Sequence, residues 1–228
     1  GGTKCSMGWN KVFHGVEHLH TLSLLLLMVV IGSGNVWGQA MEITALSQIT
    51  DANGNYIIKN DISGGAPGVS TFNGTLEAAI NPETHMPYRI TGLSAPLFTT
   101  LAGTVKNLVL EDVDISSGDA SGNTGAIACT ANGAARIYNV GILSGQVGGK
   151  GNTGGLVGLL DGTARVINCY SYANITGGSE KGGIVGNNNK ISNQVAITTM
   201  VMNCMFYGDI ADENTIAPIY GGTEITNA

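Results

Sequence analysis

The sequence predicts an all-β fold, a parallel β-helix-like β-solenoid with coils of about 30 residues, and three observations predict it. A five-residue box recurs along the chain at intervals of 28 to 35 residues. The apolar and β-branched runs between boxes are too short, and too often broken by Gly, Asn, Asp or Ser, to be helices. Gly supplies 35 of the 228 residues, roughly twice its usual share.

Composition narrows the function classes before any motif is considered. Apolar residues make up 43 % and charged residues 11 %, which argues against disorder. A net charge of −6 with only 10 Lys and Arg argues against a nucleic-acid partner, because that polymer demands a concentrated basic face.

The first element is a leader. Residues 22–31, LSLLLLMVVI, span half of the roughly 20 residues that a membrane-crossing helix needs, which fits the apolar region of a cleavable signal peptide. Lys11 lies upstream, and small residues at Val36, Gly38 and Ala40 fit cleavage after Gly38 or Ala40. Met7 reads as the start, with residues 1–6 as an upstream extension; an N-terminal anchor or buried helix is the competing reading. Residues 1–38 are therefore set apart as leader, and the mature chain is expected to be exported, extracellular or at a cell surface, with no stable membrane span. No Cys follows the apolar run to take a lipid. Removing residues 1–38 discards His14, His18, His20, Trp9 and Trp37 and leaves 8 basic against 15 acidic residues, a net charge of −7.

Residues 39–94 follow as a strand-rich stretch without a box, with turn signals at Asp51-Ala-Asn-Gly and Asn73-Gly. They are expected to form irregular first coils that cover one end of the core.

Residues 95–228 carry the repeats. The boxes are Ala95-Pro-Leu-Phe-Thr, Gly125-Ala-Ile-Ala-Cys, Gly154-Gly-Leu-Val-Gly, Gly182-Gly-Ile-Val-Gly and Ala217-Pro-Ile-Tyr-Gly, starting 30, 29, 28 and 35 residues apart. An Asn follows the first four at offsets of 12, 14, 14 and 21 residues: Asn107, Asn139, Asn168 and Asn203. Period and offset lengthen together by seven, which places one insertion around Asn187 to Gln194. Stacking the coils about 4.8 Å apart puts Leu97, Ile127, Leu156, Ile184 and Ile219 in one interior ladder and Val147, Ile175 and Ile210 in part of another. The four Asn form a structural ladder whose amides donate and accept along the axis at a corner, with a ligand-binding row as the rarer reading. The repeat-box glycines are Gly125, Gly154, Gly155, Gly158, Gly182, Gly183 and Gly186, and the paired glycines, Gly154-Gly155 and Gly182-Gly183 among them, are read as allowing φ > 0 at tight corners. The chain ends at Ala228 just after opening its fifth box, so further repeats or another domain are expected beyond it.

At these residues the sequence resembles the bacterial GLUG-repeat family, whose motif runs Gly-Gly-Leu-Val-Gly, a short turn, then Ile-x-Asn-Cys. Gly154 to Tyr170 matches it almost throughout; the Gly125 and Gly182 repeats match in part, since Cys129 replaces a glycine and the latter carries the insertion. Asn55 to Ile62, Phe72-Asn-Gly-Thr and Tyr88 to Leu93 are similar to the lead-in that such proteins carry. The resemblance implies exported surface or secreted proteins, notably of Bacteroidetes, and a parallel solenoid without catalytic residues of its own. The same repeats also sit upstream of the catalytic domain in immunoglobulin A-cleaving metalloproteases.

The remaining chemistry is sparse, and no catalytic, cofactor-binding or metal-ligating residue is assigned. Cys129, Cys169 and Cys204 lack zinc spacing and read as buried small apolar residues. Cys169 and Cys204 fall on adjacent coils, where Cα spacing permits a disulfide and parallel Cβ directions disfavour it. Glu111, Asp112 and Asp114 lie three coils from Asp209, Asp212 and Glu213, about 14 Å along the axis and too far for a hydrolase pair. Asp112 and Asp114, alternate residues of one strand, share a face suited to Ca²⁺, against the commoner reading of solvated acids. His85 has no second His, and Gly145-Gln-Val-Gly-Gly-Lys-Gly lacks the helix of a phosphate loop. Tyr138, Tyr170, Tyr172, Tyr207 and Tyr220 offer aromatic faces for sugar stacking or simply strand packing. The expected function is a non-enzymatic exported module, an adhesin or surface stalk presenting a binding face to a host or dietary glycan or protein. The alternative is an accessory domain of a larger secreted protease or glycan-degrading enzyme. A third reading makes the chain itself a lyase.

Overall fold

Short runs of alternating burial, such as Tyr56 and Ile58 in Asn55–Ile58 or Leu76 and Ala78 in Thr75–Ala78, make strands with one buried and one outward face. The computed structural model describes residues 39–188, 199–211 and 219, so the leader, most of the insertion, Asp212, Glu213 and Tyr220 lie outside the described residues. Every pairing between its strands is parallel, apart from one isolated antiparallel bridge between Ile80 and Pro87. The one described helical segment is the 3₁₀ turn Leu46–Gln48, and no described helix is long and apolar enough to cross a membrane.

The chain winds as a β-solenoid, with successive coils hydrogen-bonded along one axis. The largest sheet stacks Met41–Ile43, Asn55–Ile58, Thr75–Ala78, Thr104–Glu111, Arg136–Ile142, Arg165–Ile167 and Met200–Met202 in that order. A second stacks Thr71–Phe72, Phe98–Leu101, Ala128–Ala131, Val157–Leu160 and Val185–Asn188; a third, Val113–Ile115, Gly145–Gly149 and Asn174–Gly177. Residues 41–94 thus join the same stack although they carry no box. Ile43, Leu46 and Ile49 are buried at its first edge.

The interior ladders follow the repeat. Phe98 pairs with Ala128, Ala128 with Val157 and Val157 with Val185, which brings Leu97, Ile127, Leu156 and Ile184 into one buried column, and Ile184 N donates to Ile219 O. Val147 pairs with Ile175, which bridges to Ile210, and Ile115 extends that column by one coil. Near the first coils Phe72 stacks on Phe98 with centroids 4.6 Å apart and rings within 6°. Burying so continuous an apolar column is the main stabilising contribution. The insertion also falls into place: Val157 and Val185 pair at a separation of 28 residues, but Arg165 and Met200 at 35, so the seven extra residues enter after Asn188.

The glycine expectation needs correcting. Positive φ occurs in the pairs Gly64–Gly65 and Gly177–Gly178, but at none of Gly125, Gly154, Gly155, Gly158, Gly182, Gly183 and Gly186. The box glycines serve space instead: a Cβ on Gly154 would overlap the Val157 carbonyl and the Gly186 amide, and one on Gly125 would lie 2.5 Å from Val157 Cα. Adjacent backbones approach too closely there for any side chain.

Candidate functional site

The Asn column turns the corner. Asn107, Asn139, Asn168 and Asn203 have φ of 53, 53, 56 and 52°, the left-handed region in which Asn is enriched. Asn139 Nδ2 donates to Asn107 Oδ1 at 3.0 Å and Asn203 Nδ2 to Asn168 Oδ1 at 3.2 Å. Their amides are engaged with one another, which suits a structural corner. A second amide network escaped the sequence reading: Asn152 Nδ2 donates to Asn123 Oδ1 at 2.7 Å, and Asn187 Nδ2 to Asn152 Oδ1 at 3.2 Å. Asn187 does not share the box offset of the other two, so spacing gave no signal for it.

Just past this corner, two outward columns run along the axis. In one, Arg89, Val109, Gly141, Tyr170 and Met205 pair in succession. The strand registers place Glu111, Leu143, Tyr172 and Tyr207 in the other. Leu143, Tyr170, Tyr172 and Met205 line an open groove of about 400 Å³. Tyr172 meets Tyr170 edge-on at 5.9 Å and Tyr207 at 5.7 Å, and Tyr172 and Tyr207 are 39 % and 77 % exposed. Gly141 makes the groove, because any Cβ there would overlap the Tyr170 ring. Burial, and then the neighbouring Tyr172, push the Tyr170 hydroxyl pKa up, while Arg89 pulls it down. Arg89 is itself held by Glu111 at 2.9 Å, and that hydrogen bond raises the guanidinium pKa further.

Beside the tyrosines lies a polar row. Asp112, Asp114, Gln146 and Asn174 line a shallower groove of about 430 Å³. Ser144 Oγ donates to Asp112 Oδ1 and Gln146 Nε2 to Asp114 Oδ1, each at 2.7 Å, and Asp209 N donates to Asn174 Oδ1 at 3.0 Å. Asp114, Gln146, Asn174 and Asp209 thus occupy successive coils, and Glu111 is engaged by Arg89. Among the described residues no group of three or more His, Cys, Asp or Glu is gathered to hold a metal. His85 sits exposed in the loop closed by Asn81 and Met86, with φ 58°. Gly145–Gly149 is a strand paired on both sides. Tyr138 is half-buried within Arg136–Ile142, apart from the groove-lining residues.

The cysteines divide into two environments. Burial pushes the Cys129 thiol up to about 11. Cys169 is buried and Cys204 half-buried, and the influence of each thiol on the other raises the first and lowers the second to about 7.

Such a surface, an aromatic wall beside amides and carboxylates, can stack against flat apolar faces and accept or donate hydrogen bonds. No curated protein and no solved structure matches the chain. Residues 45–144, which are 100 of the 228, match the family described as M26 IgA1-specific metallo-endopeptidase, N-terminal region; the lead-in and first coils of this chain are therefore similar to the region upstream in those endopeptidases, and the match does not extend to a catalytic part.

Proposed function

We propose that this chain is a non-catalytic, exported repeat region of a larger metallo-endopeptidase-like protein, and that its tyrosine-lined outer face binds a glycan or a protein. The observation that carries the first half is the match of residues 45–144 to an N-terminal region of IgA1-specific endopeptidases. Stacked coils supply a long, stiff surface, which suits a region that holds a partner near chemistry performed elsewhere. Export is supported by the apolar run at residues 22–31. No cofactor enters this reading, and nucleic acid is not among the partners.

Reading the gene past the codon for Ala228 tests the assignment. A downstream H-E-x-x-H segment is the expected result, since its paired His and Glu supply the zinc site and general base of a metallo-endopeptidase. More boxes closing in a surface-sorting segment would instead favour an adhesin or stalk, the reading that the exposed Tyr172 and Tyr207 support by themselves.

A further inference from the structure

We propose that Cys169 and Cys204 are an oxidisable pair whose disulfide ties the coil after the insertion to the coil before it. The argument is one of register. Asn203 bonds to Asn168 immediately before the two cysteines, Met205 pairs with Tyr170 immediately after them, and Met205 N donates to Cys169 O at 2.9 Å. Cys204 is thereby fixed opposite Cys169 on the neighbouring parallel strand. Parallel strands lie about 4.8 Å apart, inside the 4.4–6.8 Å range of Cα separations that disulfides span.

Parallel Cβ directions count against the bond on sequence grounds, but the register sets the two cysteines directly opposite each other. Each Sγ lies beside the carbonyl two residues back, Cys169 at 3.2 Å from Ile167 O and Cys204 at 3.3 Å from Met202 O, so the two side chains take equivalent positions. The side chains therefore lie about one strand spacing apart, Cys204 Sγ also facing Val166 O on the coil of Cys169 at 3.7 Å, and the S–S bond requires a χ1 rotation that closes this gap, available to the half-buried Cys204. Lowered to about 7, Cys204 is the better nucleophile, and buried Cys169 is the resolving partner.

The oxidant is a disulfide, either a small-molecule one or that of an oxidoreductase. The Cys204 thiolate attacks one of its sulfurs and expels the other as a thiolate, forming a mixed disulfide. Cys169 then loses its proton and displaces the second sulfur. Two cysteine thiols are oxidised, and the oxidant's disulfide is reduced to two thiols. The bond closes a 35-residue interval containing the seven extra residues, so it removes chain entropy from the unfolded state.

The test treats the folded full chain with oxidised glutathione, alkylates it and maps its peptides without reduction. The expected product is a Cys169–Cys204 peptide lighter by two hydrogens, with Cys129 alkylated only after unfolding. Adding dithiothreitol should lower the melting temperature of the oxidised chain by roughly 5–10 °C. It should leave Cys204→Ser unchanged, and the peptide map of the unmutated chain decides the matter if that variant does not fold. Separate glutathionylation or alkylation of Cys169 and Cys204, or linkage to Cys5, Cys129 or a second chain, would overturn the proposal.

Discussion

Single residues carry the corner of each coil. Asn107, Asn139, Asn168 and Asn203 satisfy two demands at once, a left-handed backbone and an amide able to bond along the axis. Asn139→Ala should cost about 2 kcal/mol, from the steric cost of a non-glycine residue in that region plus a lost hydrogen bond. Asn139→Gly keeps the backbone and should cost about half as much, a difference that urea unfolding midpoints would resolve. Gly154 is limited by space rather than torsion, so Gly154→Ala should destabilise by about 3 kcal/mol, and a variant as stable as the parent would contradict the packing described. At Cys204, whose thiol is lowered to about 7 by the neighbouring Cys169, the proton is lost as pH rises through that value. The rate of iodoacetamide labelling of Cys204 in the reduced folded chain should therefore climb between pH 6 and 8 and be half-maximal near pH 7. Cys129, raised to about 11, should stay unlabelled across that range.

Strand stacking turns these residues into surfaces. Tyr170 follows the corner and is paired with Gly141 one coil earlier, so the ring lies back over the space that the glycine leaves. Tyr172 and Tyr207 continue the wall on successive coils, and the row from Asp114 through Gln146 and Asn174 to Asp209 runs beside it. Tyr172→Ala and Tyr207→Ala should each reduce binding to a glycan array or to a captured protein partner by at least about tenfold, while moving the unfolding midpoint little, because both rings are exposed. Gly141→Ala should weaken the same binding by displacing the Tyr170 ring. Unchanged binding in all three variants would remove this face from the functional account.

For the whole molecule, the sequence-level resemblance to GLUG repeats and the family match meet on the lead-in and first coils, and the fold extends the same winding beyond residue 144. Circular dichroism of the folded chain should report β structure with little helix, since the described residues hold one 3₁₀ turn and otherwise strands and turns. The proposed reading gives this chain no catalytic part in the cleavage of IgA1. Hydrolysis of IgA1 by the isolated chain would contradict it.

The sequence by itself determined the winding, the register and the place of the insertion, because in a solenoid a repeat along the chain becomes a neighbour in space. Leu97 with Ile127, Asn107 with Asn139 and Val147 with Ile175 were legible for that reason alone. Contacts that equal spacing alone does not specify were not. The Asn123–Asn152–Asn187 network, the Arg89–Glu111 pair and the Tyr170 ring over Gly141 depend on side-chain direction and on local backbone approach. The role of the Gly154-Gly155 and Gly182-Gly183 pairs was misread on the same ground, whereas Gly64–Gly65 and Gly177–Gly178 do adopt positive φ. Glycine meets both a positive φ and a close contact, and only the tertiary structure decided which constraint acts, since the excluded volume belongs to the neighbouring coil rather than to the glycine's own segment.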